Sequence, residues 1–233
     1  MIRAVFFDWF NTLACFDPPR EELHSRVLHE FGIEVPPRKI FPGVLAADSY
    51  WFDENARLAV RKRSPEEREE VNIGYQQVLL AETGVNTSRE TLLKISKRVR
   101  ELFSGMAFAL YDDVLPVLAA LKERTLILGM ITNLARDMTP ICDKLGVASL
   151  LDFVVTSQEI GVDKPDPRIF MAALECAGVS AAEAVHVGDE YRFDVVGARG
   201  VGMASVMIDR YNLHAEVTDC PRINSLRQLG KYL

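Results

Sequence analysis

Four short apolar runs in this chain each give way to a polar residue. Val5-Phe6-Phe7 ends on Asp8, residues 127–131 end on Thr132-Asn133, Phe153-Val154-Val155 runs towards Lys164, and Val185-His186-Val187 ends on Gly188-Asp189. Runs of this length and composition predict buried strands of a parallel sheet, and α/β proteins hold ligands at the carboxyl ends of such strands. Two acids, a hydroxyl and amide pair and a lysine would converge there. That set suits an anionic, phosphorylated substrate beside a divalent cation.

The spacing between the runs places them in one architecture. After Tyr111, helical and strand patterns alternate: helix over 113–122, strand over 126–131, helix over 140–145, strand over 153–155, and a helix from Asp166-Pro167 to about 177. Ser180-Ala181-Ala182-Glu183 then caps a short turn, followed by a strand over 185–187, a helix over 194–199 and a last short strand over 204–208. Alternation of this kind implies a parallel sheet with right-handed crossovers. Residues 2–7 supply its first strand, after which Asn11-Thr12-Leu13 and Pro18-Pro19 break the pattern. From about 21 to 103 the periodicity is helical, with Gly32 and Gly84 as stops. Ser64-Pro65-Glu66-Glu67 is a helix start with a capping box, and Thr87-Ser88-Arg89-Glu90 repeats the device. The helical stretch therefore interrupts an α/β domain.

Composition narrows the class. A chain of 233 residues is long enough for a sizeable core, as one large domain or a core with an insert. The net charge of -6 and pI near 5.3 argue against a general nucleic-acid binder. Cys15, Cys142, Cys176 and Cys220 lie far apart without a C-x-x-C pair, which fits reduced thiols in a cytoplasm better than zinc or disulfides. The first apolar run stops at Asp8, so no secretory leader is expected. No segment reaches the roughly 18 apolar residues of a membrane span.

Asp8-Trp9-Phe10-Asn11-Thr12-Leu13, Ile131-Thr132-Asn133, Asp163-Lys164-Pro165-Asp166-Pro167 and Val187-Gly188-Asp189 with Asp194 resemble, in order and spacing, the four motifs of the haloacid dehalogenase superfamily. The likeness spans residues 2–208. It implies a doubly wound, Rossmann-like parallel-sheet core, residues 1–16 and 106–233, with an inserted helical cap domain over 17–105, as in that superfamily's first subgroup. It also implies roles. Asp8 is the nucleophile, Mg²⁺ is the cofactor, and Asp8, the Phe10 carbonyl and Asp189 are its protein ligands, with Asp194 behind them or joined through water. Thr12, Thr132, Asn133 and Lys164 bind the substrate, and the last three complete the catalytic set with Asp8. These roles answer physical needs. A carboxylate can form a covalent ester that splits one displacement into two, a hard cation lowers the repulsion between two anions, and fixed donors stabilise phosphoryl oxygens.

Phe10 departs from the pattern. Phosphatases of the superfamily place there a second aspartate that protonates the leaving oxygen and later activates water. Such assistance is typically worth about 10² to 10⁴ in rate, so a weakened phosphatase is expected unless Glu190, Asp17 or Asp48 substitutes. The gap also argues against a phosphosugar mutase. Dehalogenases carry tyrosine at the equivalent of Phe10, but they also carry a tyrosine where this chain has Phe170, and serine and asparagine where it keeps Gly188-Asp189. Phosphonoacetaldehyde hydrolases begin Asp-Trp and use a cap lysine; Lys39 and Lys62 do not sit in that motif. The expected function is hydrolysis of a small phosphorylated metabolite. The alternatives are a 2-haloacid dehalogenase and a catalytically weak, phosphate-binding pseudoenzyme.

Each residue also has an ordinary reading. Asp8 alone is a turn former or cap, Lys164 a solvated loop lysine, and Thr132-Asn133 and Asp194 helix caps. Their joint occurrence at matching strand ends favours the site. His186, between valines, reads as a core histidine, and His24 and His29 do not share a helix face. Tyr50-Trp51-Phe52 with Arg57, Arg61, Lys62 and Arg63 is either cap core beside a solvated face or a substrate-selecting surface.

Overall fold

The computed structural model describes residues 1–134 and 136–233. They divide into two compact units, Met1–Cys15 with Phe108–Leu233, and Phe16–Ala107. The strands are β1 (Ala4–Phe7), β2 (Ala14–Asp17), β3 (Ala107–Leu110), β4 (Ile127–Thr132), β5 (Phe153–Thr156), β6 (Ala184–Gly188), β7 (Ala204–Ile208) and β8 (Arg222–Ile223). In the Phe16–Ala107 unit the helices are α1 (Arg20–Glu30), α2 (Pro37–Arg57), α3 (Pro65–Glu82) and α4 (Arg89–Phe103). In the other they are α5 (Val114–Glu123), α6 (Thr139–Lys144), α7 (Ser157–Ile160), α8 (Pro167–Ala177) and α9 (Val196–Gly200).

The larger unit is a doubly wound α/β domain. Six strands pair in the order β5-β4-β1-β6-β7-β8, every pairing parallel. The order runs one way from β1 through β4 to β5 and the other way through β6 to β8. Its switch point therefore lies at β1, the position where open α/β sheets bind ligands. All four residues of β1 are fully buried, which is why the strand reads as an unbroken apolar run. Gly129 in β4 pairs with Phe153 in β5, and the Phe153 ring lies where a Cβ on Gly129 would stand. That ring then meets Phe6 edge-on at 5.5 Å.

Several expected elements shift. β8 was not expected: two residues are too few to show a period. β2 falls where a break was read, because four residues bounded by turns carry no alternation. β2 and β3 form a separate two-stranded sheet, and the division between the units falls inside both. The second capping device begins one residue later than read: Ser88 accepts from Thr91 N, and Glu90 pairs with Lys94 instead. The helix expected over 194–199 opens earlier, as a π turn over Tyr191–Val195 that continues into α9. The box at Ser64 and Glu67 and the Asp166 cap form as read.

In the four-helix unit, Leu23, Val27, Ile40, Val44, Ile73, Leu79 and Ile95 make the core. Gly43 lets α2 and α3 approach, since a side chain there would strike the Leu79 carbonyl. No described helix is long and apolar enough to cross a membrane.

His24 is buried in this core. Its Nδ1 lies 2.8 Å from the Arg20 carbonyl, so this nitrogen is the donor, and Nε2 has no partner among the described residues. Burial holds its pKa down at about 4, below the ordinary 6.5. Between those values the unfolded chain binds a proton that the folded chain refuses. Stability should thus be whole above about pH 6.5 and fall by up to about 3 kcal/mol towards pH 4. Urea midpoints across that range should drop more steeply for the wild type than for His24→Gln; parallel profiles would contradict this.

Candidate active site

β1 delivers Asp8 to the switch point, where its backbone N–H donates to the Val187 carbonyl at 2.8 Å. The chain then turns sharply. Leu13 and Ala14 both donate their N–H groups to the Trp9 carbonyl, and Asn11 adopts a left-handed φ of 58°, a conformation asparagine tolerates. Arg210 holds this turn from outside, its guanidinium donating to the Asn11 and Thr12 carbonyls while pairing with Asp113 and stacking 3.7 Å over Tyr111.

The other strand ends meet Asp8 through one lysine. Lys164 is 3 % exposed, and its Nζ donates to Asp8 Oδ1 at 2.5 Å and to Asp194 Oδ1 at 2.6 Å. Asn133, beyond β4, fixes the lysine's backbone: its Oδ1 accepts from Lys164 N at 2.6 Å and its Nδ2 donates to the Lys164 carbonyl at 3.1 Å. Asp194 is held further by His186 Nε2 at 2.9 Å and by the Glu190 N–H at 3.1 Å. The wide π turn aims it inward, and Gly188 makes room, since a Cβ there would overlap the Asp194 carboxyl. Asp189 is held by Asn11, whose Nδ2 donates to its Oδ2 at 3.0 Å.

Burial sets the charges. It pushes the Asp8 carboxyl up to about 6, with Asp194 adding to the push and Lys164 opposing it. Burial also raises Asp189 well above the usual range, with Asp8 and Asp194 contributing and Asn11 opposing. Lys164 would be lowered by burial, but Asp194 and Asp8 hold it far above its ordinary value, so it stays an ammonium. Asp194 would be raised by burial, but Lys164 and His186 keep it ionised. His186 is lowered by burial and stays neutral. Oxygens of Asp8, Asp189 and Asp194 lie within 4.8 Å of one another. Fully ionised, these three carboxylates face one ammonium, so the buried cluster has excess negative charge on hard oxygen donors. That donor set fits a hard divalent cation.

The remaining expected residues are placed unevenly. Thr132 is buried at the end of β4, where its Oγ1 accepts from Leu134 N and keeps its own proton for another acceptor. Asn133, expected on a phosphoryl oxygen, engages Lys164 through Oδ1 and through one of the two N–H donors of Nδ2. Thr12 is fully buried, and its hydroxyl has no partner among the described residues. Phe10 is half-buried and bridges to Ala14 through its backbone. Of the acid candidates, Glu190 shares a unit with Asp8, whereas Asp17 and Asp48 belong to the Phe16–Ala107 unit. Asp48 there accepts both Arg20 nitrogens at 2.6 Å and the Tyr75 hydroxyl at 3.0 Å. Trp51 packs edge-on against Tyr75, and Arg57 and Arg63 pair with Glu54. Asn11, His186 and Arg210 were not singled out for the site. A lone polar residue in a fully apolar strand was the available signal for His186.

A family model for haloacid dehalogenase-like hydrolases matches residues 2–202. The chain belongs to that family. A stretch of 120 residues is 43% identical to haloacid dehalogenase-like hydrolase domain-containing protein 3 of Mus musculus, covering 51% of this chain and 48% of that protein. A stretch of 101 residues is 43% identical to a glyceraldehyde 3-phosphate phosphatase of Methanopyrus kandleri, covering 43% of each. The chain thus spans about half the length, or less, of these curated relatives. Among solved structures, the magnesium-bound HAD-hydrolase YfnB of Bacillus subtilis superposes with a TM-score of 0.67 over 99% of this chain and 97% of that one, at 19% identity. That likeness concerns the fold.

Removing the ammonium should expose its role. In chelator, Lys164→Met leaves Asp8 and Asp194 buried without their partner and should cost about 3–5 kcal/mol at pH 7.5. The folded pKa of Asp8, already raised, then rises further and that of Asp194 loses the partner that lowers it, so the deficit should shrink as pH falls towards 5. Urea unfolding at the two pH values measures this, and a deficit independent of pH would contradict it.

Proposed function

We propose that this chain is a Mg²⁺-dependent phosphatase acting in the cytoplasm on a small phosphorylated metabolite, with Asp8 as its nucleophile. The observation behind this reading is the Lys164 bridge: an ammonium fixed against Asp8, beside two further carboxylates at the switch point. Similarity to a glyceraldehyde 3-phosphate phosphatase supports a phosphate ester as substrate. The Phe16–Ala107 unit serves as the cap that selects it.

In this mechanism Asp8 attacks phosphorus through a carboxylate oxygen, the ester P–O bond breaks, and the alcohol oxygen departs with the bonding pair. Lys164 offsets the charge gathering on Asp8 and the phosphoryl oxygens, and the Thr132 hydroxyl donates to one of those oxygens. Water then attacks the phosphorus of the aspartyl phosphate, giving inorganic phosphate and restoring Asp8. Mg²⁺, held by Asp8, Asp189 and the Phe10 carbonyl with Asp194 behind them, would supply charge neutralisation between nucleophile and phosphate.

Phe10 has no proton to give, so unless Glu190, Asp17 or Asp48 supplies one the leaving oxygen departs as an anion or takes its proton from water. Esters with stable leaving anions should therefore be the better substrates. Phosphate release from p-nitrophenyl phosphate should require Mg²⁺, stop in chelator and vanish in Asp8→Asn. Phe10→Asp should raise turnover, more for an alkyl phosphate than for p-nitrophenyl phosphate, towards the roughly 10² that general acid catalysis supplies. A folded Phe10→Asp variant without gain would contradict the vacancy at this position.

Phe10 also favours a second reading, displacement of halide from a short 2-haloacid, because halide leaves without a proton. Halide release from 2-chloropropionate in chelator, with no phosphate release from esters, would select it. A ligand-induced thermal shift without any product would instead select a phosphate-binding pseudoenzyme.

A further inference from the structure

Asn11 occupies a position that constrains how Asp189 can meet a cation. Its backbone is fixed at both ends, the N–H donating to the Ala14 carbonyl at 2.7 Å and the carbonyl accepting from Arg210 Nε at 3.2 Å. With φ at 58° the side chain leaves this turn towards Asp189, and its amide takes Oδ2 at 3.0 Å. Among the described residues Asp189 has no other hydrogen-bond partner. One oxygen of the carboxylate is thereby occupied by a neutral donor, and the other remains for a ligand shared with Asp8.

From this geometry we infer that Asn11 is a positioning residue that makes Asp189 a one-oxygen ligand and thereby biases the site against Ca²⁺ and towards Mg²⁺. The inference rests on the reading that Asp8 and Asp189 share a divalent cation. Ca²⁺ takes six to eight oxygens and readily uses both oxygens of a carboxylate, whereas Mg²⁺ demands compact octahedral geometry with single-oxygen carboxylates and retained waters. An amide held on Oδ2 competes with a cation for that oxygen, so binding through both oxygens of Asp189 favours its displacement. That displacement would cost the hydrogen bond of a neutral donor to a charged acceptor.

Isothermal titration of the full chain with Mg²⁺ and separately with Ca²⁺ tests this without substrate. Asn11→Gly suits the left-handed turn and removes the amide. It should raise the Ca²⁺ to Mg²⁺ affinity ratio about tenfold, the size of one charged hydrogen bond. Asn11→Asp keeps the side-chain length but loses the donor at neutral pH; it should shift the ratio the same way and serves if the glycine variant fails to fold. A general loosening of the turn would weaken both ions together and leave the ratio unchanged, which would overturn the inference. If the wild type binds both ions and neither variant moves the ratio, the role of Asn11 falls while the shared-cation reading stands. If the wild type binds neither ion, both fall.

Discussion

One buried ammonium organises the larger unit. Lys164 stands between Asp8 and Asp194, and the surrounding residues serve to keep it there: Asn133 brackets its peptide, His186 and the Glu190 amide fix Asp194, and Gly188 clears the space that Asp194 occupies. Taking an ammonium and several carboxylates out of water is expensive, and well-packed apolar residues of the same volume are often at least as stable. The cluster is thus poorly explained as a device for stability. It makes sense as preorganised charge, set at the switch point of the sheet before any ligand arrives.

The sequence made the frame readable because the frame is written in local patterns. β1, β4, β6 and β7 are largely buried and β5, at the sheet edge, is buried in its second half, so all read as short apolar runs, and the helices between them are announced by capping residues such as Asp166. What stayed hidden depends on partners distant in the chain. Arg210 reaches Asn11 across 199 positions, and Asn11 reaches Asp189 across 178. No local period encodes either contact. Asn11 looked like a residue that ends a strand, which is true of its backbone and silent about its amide. The π turn carrying Asp194 opens at Tyr191, three residues before the helix that the sequence predicts from Asp194, and a single five-residue turn has no period to mark it. β8 is two residues long and is recognised only by pairing with β7.

The four-helix unit has its own buried polar network, in which Asp48 is claimed by Arg20 and Tyr75 while His24 stacks on Tyr75. Both Asp48 oxygens are engaged within that unit, by the Arg20 guanidinium and the Tyr75 hydroxyl. Glu190 is the candidate that shares a unit with Asp8. A chain that relies on the leaving group rather than on its own acid would be selective for chemistry as well as for shape.

The proposed covalent bond at Asp8 is the point on which the functional account turns, and borohydride trapping tests it most directly. Quenching the wild-type chain with borohydride during Mg²⁺-supported turnover should reduce an aspartyl phosphate, so that peptide mapping finds homoserine in place of Asp8. Sustained phosphate release with the Asp8 peptide recovered unmodified would contradict the account.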